Sequence, residues 1–546
     1  MKRISTVTGL FVLLLSLPGL VFAGGGPRNV LVLMNEASDE SMELANEYIH
    51  VRGIPYVNVL RVNAPTSLTT DMAAYMSTIE DPIKAHIGDP LHPYRNWIDY
   101  IVLTRGLPIR YSTAGGQVSI TAGLQVMDTA LSGQDQTSLP GIGNPYRARD
   151  EYFSHSKTFG GDHYYIGATF NGYTKWDAFS LITQSVLSDG NPATGTFFLE
   201  EASGNADVRK LNQLQAAAAT LVGLGYDAQA VARTDPEVTG ADVAGHLSGG
   251  SYSSISESDI YSNNFLPGAI IDLLESYGCV PANFDPGQSP SQTPGTWYVG
   301  AGATGVHCTV AEPYAHTFPP ATLFEPYVNG YNLAETYYQG IPYLYWMNIV
   351  LGDPIAQPYA NVPDVTFITP SPSELVSGTI LIEAQAVLPL GGDINKMEFF
   401  VDDMWLGPVF SNPGQISLNT NIIPDGFHRI DAVAFEESNR FTQGTGSVWI
   451  DVDNHGLWIT ITDPTSVGYV HDVSPVTVDF EPSVVTFDLL IDGQVAATGS
   501  GAPPLSVDVD FADQPWGWHE IQAIGEDGSG TQAISAPVIQ NGTPFH

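Results

Sequence analysis

Residues 29–34 read Asn-Val-Leu-Val-Leu-Met and residues 99–104 read Asp-Tyr-Ile-Val-Leu-Thr. Each is an apolar run of strand length without alternation, the pattern of a strand covered on both sides, as in a parallel sheet under helices. The residues between them settle the class. Ser38 or Asp39 caps a segment in which Met42, Ala45, Tyr48 and Ile49 recur at helical spacing, and Gly53 before Pro55 stops it. Residues 56–62 read as a second strand, and 69–87 as a helix with a break near Pro82. This alternation predicts an α/β fold on a mostly parallel sheet with helices on both faces.

The alternation continues along the chain. It predicts helices over 119–131, 175–187, 206–224 and 323–338, and strands over 165–170, 195–199 and 242–247, the last ending at His246. An apolar run over 268–274 leads to Cys279. Sites in such folds gather at the carboxyl ends of the strands. The character changes near Pro363, where short alternating strands and turn residues replace the helices. Glu398-Phe-Phe-Val-Asp-Asp403 is echoed by Asp488-Leu-Leu-Ile-Asp-Gly493, and Gly426-Phe-His-Arg-Ile430 by Gly517-Trp-His-Glu-Ile521, at an offset of about 90 residues. Two tandem all-β immunoglobulin-like sandwiches, 363–454 and 455–546, are therefore expected after an α/β domain over 24–360.

Lys2 and Arg3 precede an apolar run that ends in Val21-Phe22-Ala23, the pattern of a signal peptide over 1–23. The expected location is secreted, periplasmic or extracellular, with the cell surface a further option and no transmembrane segment after cleavage. The 19 basic and 58 acidic residues give a net charge of −39, which repels nucleic acid and anionic lipid. Expected partners are an extracellular protein, a peptide or a glycan. No cofactor is indicated. Acidic side chains suit a structural calcium ion, and Asp451 and Asp453, at the junction of the two sandwiches, are the candidate metal ligands.

Gly-x-Ser-x-Gly, His-Glu-x-x-His, a Walker loop and Cys-x-x-Cys are all missing, which removes the main support for serine hydrolase, zincin, nucleotidase and thioredoxin chemistry. What remains is Gly245-His246, Cys279, Glu312-Pro-Tyr314, Asn332-Leu-Ala-Glu-Thr-Tyr-Tyr338 and Gly352-Asp-Pro354. These residues resemble the tail of an uncharacterised family of secreted bacterial proteins that share Glu-Pro-Tyr, Asn-Leu-Ala-Glu-x-Tyr-Tyr and Gly-Asp-Pro. More distantly they resemble the end of gingipain-type cysteine peptidases, which have a caspase-like fold.

The second resemblance implies His246 as general base and Cys279 as nucleophile, an imidazole shifting the thiol toward thiolate. Here Leu247 follows His246 where the peptidase pattern has Gly. Cys308 is the other cysteine of the chain, and in an oxidising compartment an even pair reads as one disulfide. A Cys279–Cys308 bond, a structural free thiol and a catalytic thiolate are the three readings of Cys279. Glu312, Tyr314 and Trp346 are candidate binding residues: a strand-end carboxylate with aromatic rings that would line a groove or fill core. Asp353, between Gly and Pro, reads as a turn former. Two functions follow, a non-catalytic binding or spacing protein, and alternatively a cysteine endopeptidase.

Overall fold

A computed structural model describes residues 24–546 apart from 136–140, 203–208, 249–254, 466–468, 471–472, 513 and 543–546. The expected signal peptide over 1–23 lies outside the described residues. Ten strands form the central sheet: β1 (Val30–Asn35), β2 (Val59–Val62), β3 (Tyr100–Thr104), β4 (Ile166–Phe170), β5 (Thr196–Glu200), β6 (Ala228–Val231), β7 (Asp242–Ser248), β8 (Asn264–Leu273), β9 (Gly305–Thr309) and β10 (Asn348–Gly352). Their order is β6-β5-β7-β8-β9-β10-β4-β3-β1-β2. Strands β1, β3, β4, β9 and β10 are buried at every residue, as strands covered on both faces are; β9 takes His307 and Thr309 inside with its apolar residues.

Each pairing in this sheet is parallel except one. Strand β9 runs antiparallel to β10, with Gly305 opposite Gly352 and Thr309 opposite Asn348. The sheet is thus two blocks of five parallel strands pointing in opposite directions. The carboxyl ends of β5 to β9 lie along one edge, and those of β1 to β4 and β10 along the other. The reversal was not visible in the sequence, because Asn348–Gly352 sits inside the aromatic tail and announces no direction.

The helix expected over 69–87 begins as a short strand, Thr69–Asp71, that pairs with Arg110–Thr113. Asp71 then caps Met72–Tyr75 by accepting from Ala74 N, and a π-helical turn over Met76–Glu80 precedes the last segment, Asp81–Gly88. Pro82 lacks the N–H that would bond back to Thr78, and the wider turn opens the ladder at that point. The helix expected over 119–131 is only Ile120–Gln125. The one expected over 323–338 is two, Phe324–Val328 and Leu333–Gly340. Gly330 at φ +95° breaks them, and Asn332 with Glu335 forms a capping box for the second.

Beyond residue 362 two further cores form. Phe399, Ile430 and Ile450 fill the first, and Phe487, Leu489 and Ile521 the second. The sequence repeats become the same device twice. Asp402-Asp403 and Asp492-Gly493 are two-residue turns with positive φ, which suit the twist of tight hairpins. Each turn then ties to the next long strand. Asp402 accepts from Arg429 N at 2.9 Å and bonds the ring of His428; Asp492 accepts from Glu520 N at 2.9 Å and holds His519 Nδ1 at 2.7 Å. The other ring nitrogen bonds Pro424 O at 2.9 Å in one module and Pro515 O at 2.8 Å in the other.

The modules are joined to each other and to the α/β domain. Asp425 and Gly426 pair in parallel with Ala533 and Ile534, so one sheet crosses both sandwiches. Asp425 also accepts from the backbone of Asn454, His455 and Leu457, which fixes the connection between them. Arg28, buried at the start of β1, pairs with Asp431 and lies 4.2 Å from the centre of the Phe400 ring. Asp451 and Asp453 sit near this connection. Burial and the neighbouring Asp453 charge raise the Asp451 carboxyl, while Asp453 Oδ1 accepts from Gly456 N at 2.9 Å. Among the described residues no three His, Cys, Asp or Glu side chains converge as a metal cage, and no helix is long and apolar enough to cross a membrane.

Candidate functional site

The carboxyl ends of β5, β7, β8 and β9 lie side by side, and most of the residues singled out in the sequence meet there. Below this rim lies a buried charge network. Arg209, just before the helix Leu211–Gly223, is fully buried, pairs with the Asp272 carboxylate and donates to Ser248 O at 2.7 Å. Asp272 faces His307 across β8 and β9, and Oδ1 lies 2.5 Å from His307 Nδ1. His307 Nε2 lies 3.0 Å from Asn348 Oδ1. Ser248, Asp272, His307 and Asn348 belong to four adjacent strands, so the network ties β7, β8, β9 and β10 together. Burial, with the nearby Arg209 charge, pushes the His307 imidazole down to about 3; burial pushes the Arg209 guanidinium down to about 9 against the field of Glu200.

His246 lies one pleat before Ser248 on β7 and is 1% exposed. Its Nε2 is 3.2 Å from Glu200 Oε1 at the end of β5, and its ring meets Tyr298 edge-on at 6.0 Å. Tyr298 comes from the short helix Gly295–Gly300 and donates to Ser248 Oγ at 3.4 Å.

Cys279 follows β8, and its backbone N donates to Thr309 O at 2.9 Å, which sets it beside the end of β9. A disulfide joins Cys279 to Cys308, with Cα atoms 5.6 Å apart and both residues fully buried. Gly295 presses on this bond: a Cβ there would lie 3.0 Å from both sulfurs. Of the three readings of Cys279, the disulfide is the one present. His246 and Cys279 occupy neighbouring strand ends, but a sulfur in a disulfide has no ionisable thiol.

The outer layer of the rim is acidic and aromatic. Glu275 follows β8, and burial with the charge of Glu312 pushes its carboxyl up to about 7. Glu312 is exposed and accepts from Ser276 Oγ at 2.8 Å. Tyr314 is 54% exposed and stacks on His316 at 5.6 Å. It also lies 5.9 Å from the ring of Trp346, which is buried and faces it as the floor of the patch. Asp353 stands on the opposite edge, after β10. Besides turning the chain through Ile355 N, it accepts from Tyr48 Oη at 2.7 Å and Arg52 Nε at 2.6 Å, so it anchors the helix Asp39–Arg52.

Glu200, Asp272, Glu275 and Arg209 were not found by motif. One signal was present: an aspartate inside the apolar run over 268–274 needs a buried partner. Chemically, the rim offers a carboxyl that carries a proton near neutrality, Glu275, close to the exposed Glu312 and to a stacked aromatic face.

A family model for a bacterial Ig domain matches residues 363–432. No curated protein matches the chain. Among solved structures, the Arg-specific cysteine proteinase gingipain R aligns at 12% identity over 78% of this chain and 98% of its own, with a TM-score of 0.45. The complex of the Porphyromonas gingivalis RgpB pro- and mature domains aligns at 12% identity over 78% and 100%, also with a TM-score of 0.45. The Clostridium thermocellum CbhA fibronectin(III)-like modules align at 20% identity over 34% of this chain and 98% of their own, with a TM-score of 0.15.

Proposed function

We propose that this chain is a non-catalytic extracellular binding protein, exported by the signal peptide over 1–23. In this reading a caspase-like α/β domain, with helices on both faces of its sheet, presents the rim at Glu275, Glu312 and Tyr314, and the two immunoglobulin-like modules hold it in place. The observation that carries the reading is the Cys279–Cys308 bond, because the sulfur that would attack a substrate is occupied and buried. A protein segment, peptide or glycan is the expected ligand class. The test is intact mass with and without an alkylating agent, under denaturing, non-reducing conditions, together with turnover of a peptide library. No alkylation and no turnover support the proposal. A Cys279 thiol that alkylates rapidly at neutral pH in native protein sinks it.

The second reading, a gingipain-type endopeptidase, is favoured by the His246–Glu200 pair, since a carboxylate beside an imidazole is how a general base is oriented. It requires peptide cleavage that is lost in Cys279→Ala and in His246→Ala.

A further inference from the structure

Arg110 opens the strand Arg110–Thr113 and stands opposite Ser119 on the strand Gly116–Ser119. Ser119 N donates to Trp346 O at 3.0 Å. The Arg110 side chain reaches past the end of β9, where Nη1 donates to Val310 O at 2.7 Å, and Val310 N donates to Met347 O at 2.9 Å. Three segments far apart in the chain thus bring a guanidinium to the backbone around Trp346, where the exposed stretch from Glu312 to His316 begins.

Two donors there lack the acceptors their burial calls for. Arg28, Arg52, Arg105 and Arg429 each pair with a carboxylate. Arg110 pairs with none among the described residues. Its Nε donates to Thr69 Oγ1 at 3.0 Å, and its Nη2 bonds no described residue. Glu312 lies two residues beyond Val310 but bonds Ser276 instead. The guanidinium is half-buried, and burial lowers it with no neighbouring charge in opposition, in a chain whose net charge is −39. The second donor is the Trp346 indole. Its Nε1–H is buried and has no acceptor among the described residues, an arrangement that costs stability until a partner arrives. Tyr314 and His316, stacked with their planes 7° apart, add an exposed flat face beside the indole.

We propose that Arg110 and the Trp346 indole receive the terminal carboxylate of a peptide, whose last side chains lie on the Tyr314–His316 face. The inference rests on the rim being a binding surface and names what that surface takes. A carboxylate is planar and accepts two parallel N–H bonds from a guanidinium, with lone pairs left for an indole. Nε1 is covered in the free protein, so the Tyr314 ring turns aside as the carboxylate enters, a side-chain change of the kind common at interfaces. Charge selects a peptide over an acidic polysaccharide. A polyuronate brings many negative groups to a surface that repels them; a peptide brings one at its end, with N–H groups that suit the Glu312 carboxylate.

The probe is a random hexapeptide library, fluorescent at the N-terminus, made once with free carboxyl ends and once with carboxamide ends. Equilibrium dialysis against the whole protein reads retention. Wild-type protein should retain the free-acid library at least about tenfold better than the amide library, and the ratio should shrink from about 0.05 M to about 0.5 M salt. Arg110→Gln should abolish the ratio. Trp346→Phe, which keeps a ring but removes the N–H, should lower it, and Tyr314→Ala should weaken both libraries. Equal retention of the two libraries by the wild type overturns the proposal, and this comparison decides even if Arg110→Gln does not fold. An Arg110→Gln protein that keeps the ratio overturns it too. If neither library is retained while a neutral oligosaccharide or an oligouronate binds and is lost in Tyr314→Ala, the peptide end is wrong and the rim stands. If none of these probes binds, both fall.

Discussion

Oδ1 of Asp272 lies 2.5 Å from Nδ1 of His307, and the same carboxylate holds Arg209, all three side chains fully out of water. An ion buried in this way is tolerable only while its partner is present. Asp272→Ala should therefore cost about 3–5 kcal/mol, because it strands the guanidinium. Pairing it with Arg209→Met should recover much of that loss. Urea unfolding of the two variants checks both statements, and a single-variant loss under about 1 kcal/mol would remove the network from the account of stability.

The same geometry sets an acid limit. His307 stays neutral in the folded chain because burial depresses its imidazole to about 3, whereas an unfolded chain takes up a proton near 6.5. Its contribution is complete above about 6.5 and falls as pH drops toward 3. His307→Gln, which keeps polar atoms toward Asp272 and Asn348, should flatten the fall of Tm with pH over that interval. A thermal melt series from pH 7 to 4 reads it.

Replacing both cysteines, Cys279→Ala with Cys308→Ala, should lower stability by about 3 kcal/mol through the freed loop. Gly295→Ala leaves the bond in place but forces a methyl toward both sulfurs, and should cost about 1–3 kcal/mol by overpacking. Chemical denaturation measures both. The glycine variant should still show no free thiol by mass.

The twin turn devices give a paired prediction. Asp402→Ala and Asp492→Ala each remove one acceptor from a backbone N–H and a histidine ring. Each should cost about 1–3 kcal/mol in its own module, and by similar amounts. Local exchange in the strands Asp425–Glu436 and Gly517–Asp527 tests this; a loss in one module alone breaks the equivalence.

Much of the architecture was legible because it rests on local pattern. The apolar runs at 29–34 and 99–104 have the length and composition of covered strands, and the repeat of Phe399-Phe400-Val401-Asp402 in Leu489-Leu490-Ile491-Asp492 marks the second module. The reversal between β9 and β10 was not legible, since strand direction is set by tertiary pairing and five residues carry no sign of it. At the rim the sequence supplied His246, Cys279, Glu312, Tyr314 and Trp346. It left the state of the sulfur open, because a bonded and a reactive cysteine look alike in one dimension. Glu200 and Glu275 were invisible as site residues, since nothing in a strand-end carboxylate tells which neighbours the fold will bring to it.

The reversal at β10 also separates two sets of loops. One margin of the sheet carries the sulfur bridge and the acidic, ring-lined face; at the far margin Asp353 is tied to Arg52 and Tyr48. The loops of the first margin can thus vary in sequence without disturbing the contacts that seat the helix Asp39–Arg52 at the second.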